Sequence, residues 1–185
     1  MVGASPDFSD FHLMRTLLIL KRERVGRKKL VKMLGLGEGS VRTILRSLRN
    51  KNLIKSSKSG HGLTSHGFDY IKEYLDKFTS PIEFSSPGLK DLIGENKASL
   101  IIAHDASSGI RKGVEQRDTA IKAGADGAII LVYGAELRFP VSDASLPEFK
   151  DTFLDLKKGD VVILGFADNY ADAENGAIAI ALDLI

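Results

Sequence analysis

The sequence of 185 residues, 43% hydrophobic and 27% charged with a net charge of +2, is typical of a soluble globular protein with one or two small domains. It contains no cysteine, which excludes disulfides, thiolate catalysis and cysteine-ligated metal sites. No apolar run approaches the roughly 20 residues that cross a bilayer, and the first residues lack the pattern of a signal peptide, so a cytoplasmic protein without a membrane partner is expected.

Three helices are predicted before residue 51 from apolar residues spaced three and four apart. They cover residues 9–24, 27–34 and 38–50, and Gly35 is expected to end the second helix in a left-handed conformation. The apolar stripe of the third helix consists of Val41, Ile44, Leu45 and Leu48.

A β-hairpin and a fourth helix are predicted next. Residues 53–56 and 62–64 are expected to form short strands joined by the loop SKSGH. Ser65 is expected to cap the fourth helix. The apolar stripe of this helix consists of Phe68, Ile71, Leu75 and Phe78.

The segment TSPIEFSSPG, residues 79–88, interrupts the periodic pattern with two prolines, four Ser or Thr and a glycine. It predicts a division into a first domain over residues 1–80, a linker over 81–88 and a second domain over 89–185. The two parts differ in charge: residues 1–80 contain 16 Lys and Arg against 7 Asp and Glu, and residues 81–185 contain 10 against 17. The basic part favours a polyanionic partner that the acidic part would repel.

Short apolar runs alternate with helical segments in the second part. Ser145 and Glu148 form a capping box for a helix that buries Phe149 and Phe153, and Gly134 is expected to supply the positive φ of a tight two-residue turn. Strands are predicted over residues 99–104, 128–133, 136–140, 161–166 and 177–184, and a further helix over 114–125. The order β-α-β-β-α-β-β predicts a two-layer α/β sandwich, and the whole chain is expected to be an α+β protein.

The stretch LGLGEGSVRTILRSLRNKNLI, followed by a basic loop with a glycine and by GLTSHG, resembles the winged helix-turn-helix domains of prokaryotic transcriptional regulators. The resemblance covers residues 9–78 and implies that the third helix contacts DNA and that the hairpin is a wing. The residues that carry it are Leu34, Gly35 and Leu36 at the turn, Val41, Ile44, Leu45 and Leu48 on the third helix, Leu53 and Ile54 entering the wing, and Leu63, Thr64 and Gly67 leaving it.

The third helix has a polar side that is free for such a contact. At 100° per residue, the direction opposite the apolar stripe falls near Gly39, Thr43, Arg46 and Asn50. Arginine suits guanine and asparagine suits adenine in the major groove, so Arg46 and Asn50 are the expected base readers. No acid follows Glu38 until Asp69, whereas an ordinary solvated face mixes both signs. The candidate DNA-binding residues are Arg27, Lys28, Lys29, Ser40, Arg42, Thr43, Arg46, Arg49, Asn50, Lys55, Lys58 and His61.

The second half is similar in its order of elements to the small insertion domain of bacterial-type aspartyl-tRNA synthetases and related amidotransferase subunits. With GVEQRDTAIKAGADGAIIL, residues 113–131, and the first-domain motif, nearly the whole chain resembles a family of archaeal two-domain proteins whose second domain has no assigned function. This resemblance implies a transcriptional regulator and carries over no catalytic residue.

No catalytic set, cofactor or metal site is expected. His104 and Asp105 are adjacent and would point to opposite sides of an extended chain, and neither a nucleophile elbow nor a phosphate-binding glycine loop occurs. The four histidines are scattered. The charges of a candidate effector pocket are Arg111, Arg117, Asp118 and Arg138, for which an ion pair between helix and strand is the alternative.

The sequence therefore favours a DNA-binding transcriptional regulator that forms a homodimer, with a second domain for dimerisation, for sensing a small-molecule effector, or for both. An RNA-associated protein is the first alternative, although residues 35–67 contain none of the aromatic residues that stack unpaired bases. An enzyme with a winged-helix appendage and a protein-docking adaptor without enzymatic activity are the others.

Overall fold

The structure is a computed structural model that describes residues 8–142, 144 and 155–185. The chain divides into two units, Met1–Tyr74 and Leu75–Ile185. No helix in the described part of the chain is long and apolar enough to cross a bilayer.

The first unit contains four helices and one hairpin in the predicted order, which confirms the element assignment of this half. Gly35 ends the second helix with φ 67°, in the left-handed region that glycine favours, as predicted. The elements are α1 (Asp10–Arg22), α2 (Arg27–Leu34), α3 (Glu38–Asn50), β1 (Ile54–Ser57), β2 (Gly60–Leu63) and α4 (Ser65–Leu75).

The start of α4 differs from the prediction. Thr64, not Ser65, caps the helix, because its Oγ1 accepts the backbone N–H of Gly67 at 2.9 Å. The same hydroxyl donates to the carbonyl oxygen of Asn52 at 2.7 Å. This threonine therefore connects the end of the hairpin both to the new helix and to the segment that precedes β1.

The predicted apolar stripe of α4 is also only partly correct. Ile71 is fully buried, but Phe68 is 50% exposed and Phe78 lies beyond the end of the helix, where it forms a β-bridge with Ala103. The reason is the close approach of Gly67 to the backbone of Leu53. It centres the contact face of α4 on residues 67 and 71, four apart, and turns Phe68 outward.

The second unit is a five-stranded antiparallel sheet with helices, so the α+β class is confirmed. The strand order is β3-β4-β7-β5-β6. Its elements are β3 (Ile82–Phe84), α5 (Pro87–Ile93), β4 (Lys97–Ala103), a 3-10 turn (Ser107–Gly109), α6 (Val114–Lys122), β5 (Gly127–Tyr133), β6 (Leu137–Arg138), β7 (Val161–Ala167) and α7 (Tyr170–Asp183).

The core of this unit lies on both faces of β7. On one face Leu164 is opposite Leu100 of β4, and Val162 is opposite Leu131 of β5, in a cluster completed by Leu89 of α5. On the other face α7 crosses β7 so closely that a side chain at Gly165 would overlap the backbone of α7. Both faces of the central strand are therefore buried, as its continuous apolar sequence requires.

The last predicted strand, over residues 177–184, is wrong, because these residues lie in the second half of α7 and its end. The alternation of alanine with Ile or Leu suggested a strand, but residues 173–181 of α7 are all buried. A helix that is buried all round lacks the amphipathic period and cannot be told from a strand by pattern alone. The likeness to the synthetase insertion domain, which rested on the order of elements, loses its basis.

The predicted linker 81–88 contains β3 and the start of α5, so it is part of the second unit. The predicted two-residue turn after β5 is wrong. Tyr133 pairs with Leu137, so the loop between them has three residues, and Gly134 does not have a positive φ. The capping box of Ser145 and Glu148 lies outside the described residues.

Two glycine-to-alanine substitutions test the packing of the first unit. Gly67→Ala should lower the free energy of unfolding by about 1–3 kcal/mol, because the new Cβ would overlap the carbonyl oxygen of Leu53. Gly39→Ala, in α3, meets nothing within 4 Å and should raise it by up to about 1 kcal/mol through helix propensity. Denaturant unfolding followed by circular dichroism measures both. Changes of the same sign would contradict the close approach at Gly67.

Candidate nucleic-acid interface

The polar side of α3 is set by its buried side. Val41, Ile44, Leu45 and Leu48 are each at most 3% exposed, which confirms the predicted stripe. Arg42, Arg46, Arg49 and Asn50 are exposed on the remaining surface, whereas Ser40 and Thr43 are half-buried. None of the three arginines forms a salt bridge with a described residue. The side chain of Thr43 is partly engaged, because its Oγ1 donates to the carbonyl oxygen of Gly39 at 3.1 Å.

The hairpin presents two exposed lysines, Lys55 on β1 and Lys58 at the turn. Neither has an acidic partner among the described residues. The turn itself is held by hydrogen bonds, since Ser57 Oγ lies 2.8 Å from Ser59 Oγ and donates to the carbonyl oxygen of Gly60 at 3.1 Å. The position of Lys58 is therefore set by a closed turn.

A backbone bridge fixes the hairpin to the connection between α1 and α2. The N–H of Val25 donates to the carbonyl oxygen of His61 at 3.0 Å, and the N–H of His61 donates to that of Val25 at 2.9 Å. Gly60, with φ 111°, allows this approach, because a Cβ there would lie 2.7 Å from the carbonyl carbon of Val25. Val25 thus adds a third extended segment beside the hairpin.

His61 lies in a cationic environment. Its Nδ1 is 2.9 Å from Ser56 Oγ. Burial lowers the pKa of His61 below its ordinary value, and the positive charges of Arg49 and Arg27 lower it further. The charges of Arg49 of α3 and Arg27 of α2 therefore act on His61 of β2, which the sequence order did not indicate.

Two of the candidate DNA-binding residues have acidic partners. Arg27 Nη2 lies 3.8 Å from Glu38 Oε2, and Lys29 Nζ lies 2.7 Å from Glu23 Oε1. Lys28 between them is exposed and has no such partner among the described residues. All four paired side chains are about half exposed, so these contacts orient the cations without removing them from solvent.

One cation beside the hairpin, Arg24, was not among the predicted residues. Its Nη1 donates to Ser57 Oγ at 3.3 Å, and its Cγ lies 3.2 Å from where a Cβ on Gly62 would be. Arg24 thus lies along the hairpin on the strand-like connection. The signal was present: Val25 is an isolated apolar residue in the basic stretch RERVGRKK, as expected of one buried position in a short extended segment.

The four candidate effector residues are all exposed. Arg111 is exposed, and Arg117 and Asp118 are exposed on α6 without an ion pair to any described residue. Arg138 has Glu136 3.5 Å away and lines a pocket with Ser107, Ile110, Phe139 and Pro140. The other three are not among the described residues that line this pocket.

His104 has a different acidic neighbour from the one considered in the sequence. Its Nδ1 lies 3.6 Å from Oδ2 of the buried Asp160. The carboxylate of Asp160 also accepts the backbone N–H groups of Asp105 at 3.2 Å and Lys157 at 2.9 Å. Asp160 therefore joins the end of β4 to the start of β7. The described residues contain no cluster of His, Asp and Glu that could hold a metal ion.

Two family models match separate parts of the chain. Residues 13–69 match the PH0730-like N-terminal domain, and residues 93–184 match a domain of unknown function, DUF4443. Among solved structures, the chain is similar to the hypothetical protein PH0730 from Pyrococcus horikoshii OT3, with 34% sequence identity and a TM-score of 0.79 over 96% of this chain and 93% of that chain. Comparison with curated proteins gives no match.

The electrostatic environment of His61 can be tested by measuring the pKa of its imidazole in an NMR titration. The imidazole of His61 should titrate below 6.5, and Arg49→Gln should raise its pKa because one of the opposing charges is removed. Arg46→Gln, which removes an arginine that does not act on His61, is the matched control and should leave this pKa nearly unchanged. Equal shifts in both variants would contradict the proximity of Arg49.

The same pKa has a consequence for stability. Between the lowered pKa and 6.5 the folded chain binds fewer protons than the unfolded chain. The contribution of His61 to the free energy of unfolding is therefore fully present above pH 6.5. It is lost as the pH falls through the lowered pKa of the folded chain.

Proposed function

We propose that this chain, which belongs to the family of PH0730-like two-domain proteins, is a transcriptional regulator that binds duplex DNA through a winged helix. The proposal is drawn from the geometry of the first unit. In this proposal α3 is the recognition helix and the β1–β2 hairpin is the wing. The second unit serves for dimerisation, for sensing a small-molecule effector, or for both.

The observation that carries the proposal is the exposed side of α3. It presents Arg42, Arg46 and Arg49 without a salt bridge to any described residue, and the only acid of the helix, Glu38, lies in its first turn. Duplex DNA offers closely spaced phosphates, whose counterions are released when cations replace them. A helix of this kind also fits the major groove, which is about 12 Å wide.

The residues divide into two roles. Arg46 and Asn50 are exposed opposite the buried stripe and would read base edges in the major groove. The residues that would contact phosphate or sugar are Arg27, Lys28, Lys29, Ser40, Arg42, Thr43, Arg49, Lys55, Lys58 and His61. Arg24 joins this second set because it lies along the hairpin.

An RNA-associated or protein-docking role remains the alternative, since winged-helix domains serve both purposes. Residues 35–67 contain no Phe, Tyr or Trp on which unpaired bases could stack, which favours a duplex. A competition assay between duplex DNA and structured RNA distinguishes the DNA-binding proposal from the RNA-associated alternative. A docking adaptor should bind its partner with little dependence on salt, whereas DNA affinity falls steeply as salt rises.

Selection of genomic fragments by the purified protein tests the regulator proposal directly. We expect sequencing to show a common motif among the enriched fragments. If no fragment is enriched over random duplex, the proposal of a site-specific regulator fails. The enriched fragment then supplies the operator for the measurements with variants.

The variants Arg46→Ala and Lys58→Ala distinguish a contact to a base from a contact to a phosphate. Arg46→Ala should lose discrimination at one operator position, at a cost of about 1–3 kcal/mol, because a base contact is removed. Lys58→Ala, at the turn of the hairpin, should weaken operator and random DNA about equally and reduce the logarithmic salt slope by about 0.9. Fluorescence anisotropy at several salt concentrations measures both effects.

Lys122→Ala is the matched control, since it removes an exposed cation from α6 in the second unit. It should leave operator discrimination and the salt slope nearly unchanged. If all three variants behave alike, the cations of the first unit have no special role, and the assignment of a DNA-binding function is withdrawn.

The proposed regulator should be a dimer, because two half-sites related by two-fold symmetry supply specificity that one winged helix lacks. Sedimentation equilibrium of the full chain should give twice the 20.1 kDa mass of the monomer. Titration of the operator should give two chains per duplex. A strict monomer that binds one chain per duplex would contradict the dimeric part of the proposal.

A further inference from the structure

His61 of β2 is bonded to two other segments of the first unit. The backbone of His61 is bonded in both directions to Val25, on the connection between α1 and α2, and Arg27 begins α2 two residues after Val25. Arg49 lies in the last turn of α3, and the chain leads from there through residues 51–53 into β1. Ser56 of β1 pairs directly with His61.

The charged groups near His61 are predominantly positive. Arg49 and Arg27 are close enough to disfavour a positive charge on the imidazole. Arg24 lies along the hairpin at Ser57, and Lys55 is on β1 next to Ser56. The one acid paired with this group among the described residues is Glu38, which is 3.8 Å from Arg27 and about half exposed. The cations around His61 therefore exceed the negative charge that is paired with them.

The hydrogen bonding of His61 suits both protonation states of its ring. The hydroxyl of Ser56, 2.9 Å from Nδ1, can donate to a neutral ring or accept from a protonated one. In the neutral ring Nδ1 then accepts and Nε2 carries the proton, and in the cation both nitrogens donate. Nε2–H is a donor in each state, so gaining a proton adds charge without breaking the bond to Ser56.

We propose that His61, Arg27 and Arg49 form one phosphate-binding subsite, in which the arrival of a DNA backbone phosphate is accompanied by protonation of His61, so that the affinity for duplex DNA rises as the pH falls. The inference rests on the proposed function, because its ligand is a phosphate of duplex DNA. A phosphate supplies the negative charge that the cluster lacks. It opposes the field of the two arginines and favours the cationic imidazole.

The size of the effect follows from linkage. Each subunit takes up at most one proton through His61, so the affinity changes at most tenfold per pH unit, and only between the pKa of His61 in the free protein and in the complex. Above that interval the ring is neutral in both states, and the pH dependence due to His61 ends. The arginines stay charged throughout and do not contribute to the slope.

The experiment uses the full chain and a mixed-sequence DNA duplex of about two helical turns at constant ionic strength. We expect the affinity of the wild type to rise several-fold from pH 7.5 to pH 6, and calorimetry in buffers of different ionisation enthalpy to show proton uptake on binding. His61→Gln keeps a hydrogen-bonding side chain but cannot gain charge, and it should lose most of this slope. His66→Gln, at an exposed position of α4, is the matched control and should retain it.

Each outcome decides a different point. DNA binding by the wild type without a pH slope, or a slope that persists in His61→Gln, overturns the subsite and leaves the proposed function intact. Absence of duplex binding at every pH refutes the proposed function and the subsite with it. A measurement on the wild type does not depend on the folding of any variant: the NMR signals of His61 should titrate at higher pH with the duplex than without it, and an unchanged titration overturns the subsite.

Discussion

Burial of one apolar stripe of α3 determines the surface that the first unit presents. Val41 and Ile44 are fully buried, and Leu45 and Leu48 are nearly so. Burial of such side chains contributes about 1.5–3 kcal/mol each. Rotation of the helix by one residue would carry Arg42 toward the core, where an unpaired charge is far more costly than the loss of one apolar contact. The outward direction of the arginines therefore follows from packing, before any partner is considered.

The hairpin is positioned by backbone contacts in addition to side-chain packing. Val25 and His61 exchange two N–H donors, Gly60 permits their close approach, and Gly67 allows α4 to lie against Leu53. A Cβ at either glycine would collide with backbone, which cannot move aside as the end of a flexible side chain can. The cations of the hairpin are thus carried on a segment whose distance from α1, α2 and α4 is fixed.

The sequence predicted the first unit well where amphipathic period and turn residues coincide, as in α2 with Gly35 and in α3. It failed where a contact between distant segments decided the result. The face of α4 depends on the approach of Gly67 to Leu53, and the position of His61 depends on a bridge to Val25, 36 residues earlier in the chain. In the second unit, burial of α7 removed the period that distinguishes a helix from a strand.

The same limit applies to the candidate interface. The candidate list could be drawn from residue type and helical geometry, because exposure on α3 is a local property. The pairing of Arg27 with Glu38, and of Lys29 with Glu23, joins positions 11 and 6 residues apart in different elements. Such ion pairs depend on how the helices pack, and no short-range pattern reports them.

The exposed arginines of α3 carry a cost within the helix itself. Arg42 and Arg46 are four residues apart, and Arg46 and Arg49 are three apart, so like charges are neighbours on the helix surface. Such pairs destabilise a helix by about 0.2–0.5 kcal/mol each. The exposed ion pairs of Arg27 and Lys29 differ in this respect, since they contribute at most about 1 kcal/mol and cost little to break. A polyanion would relieve the repulsion between the arginines of α3, and breaking the exposed ion pairs to bind Arg27 and Lys29 would cost little free energy. This unbalanced charge on a well-packed helix therefore favours the proposed nucleic-acid partner over a surface that contacts only solvent.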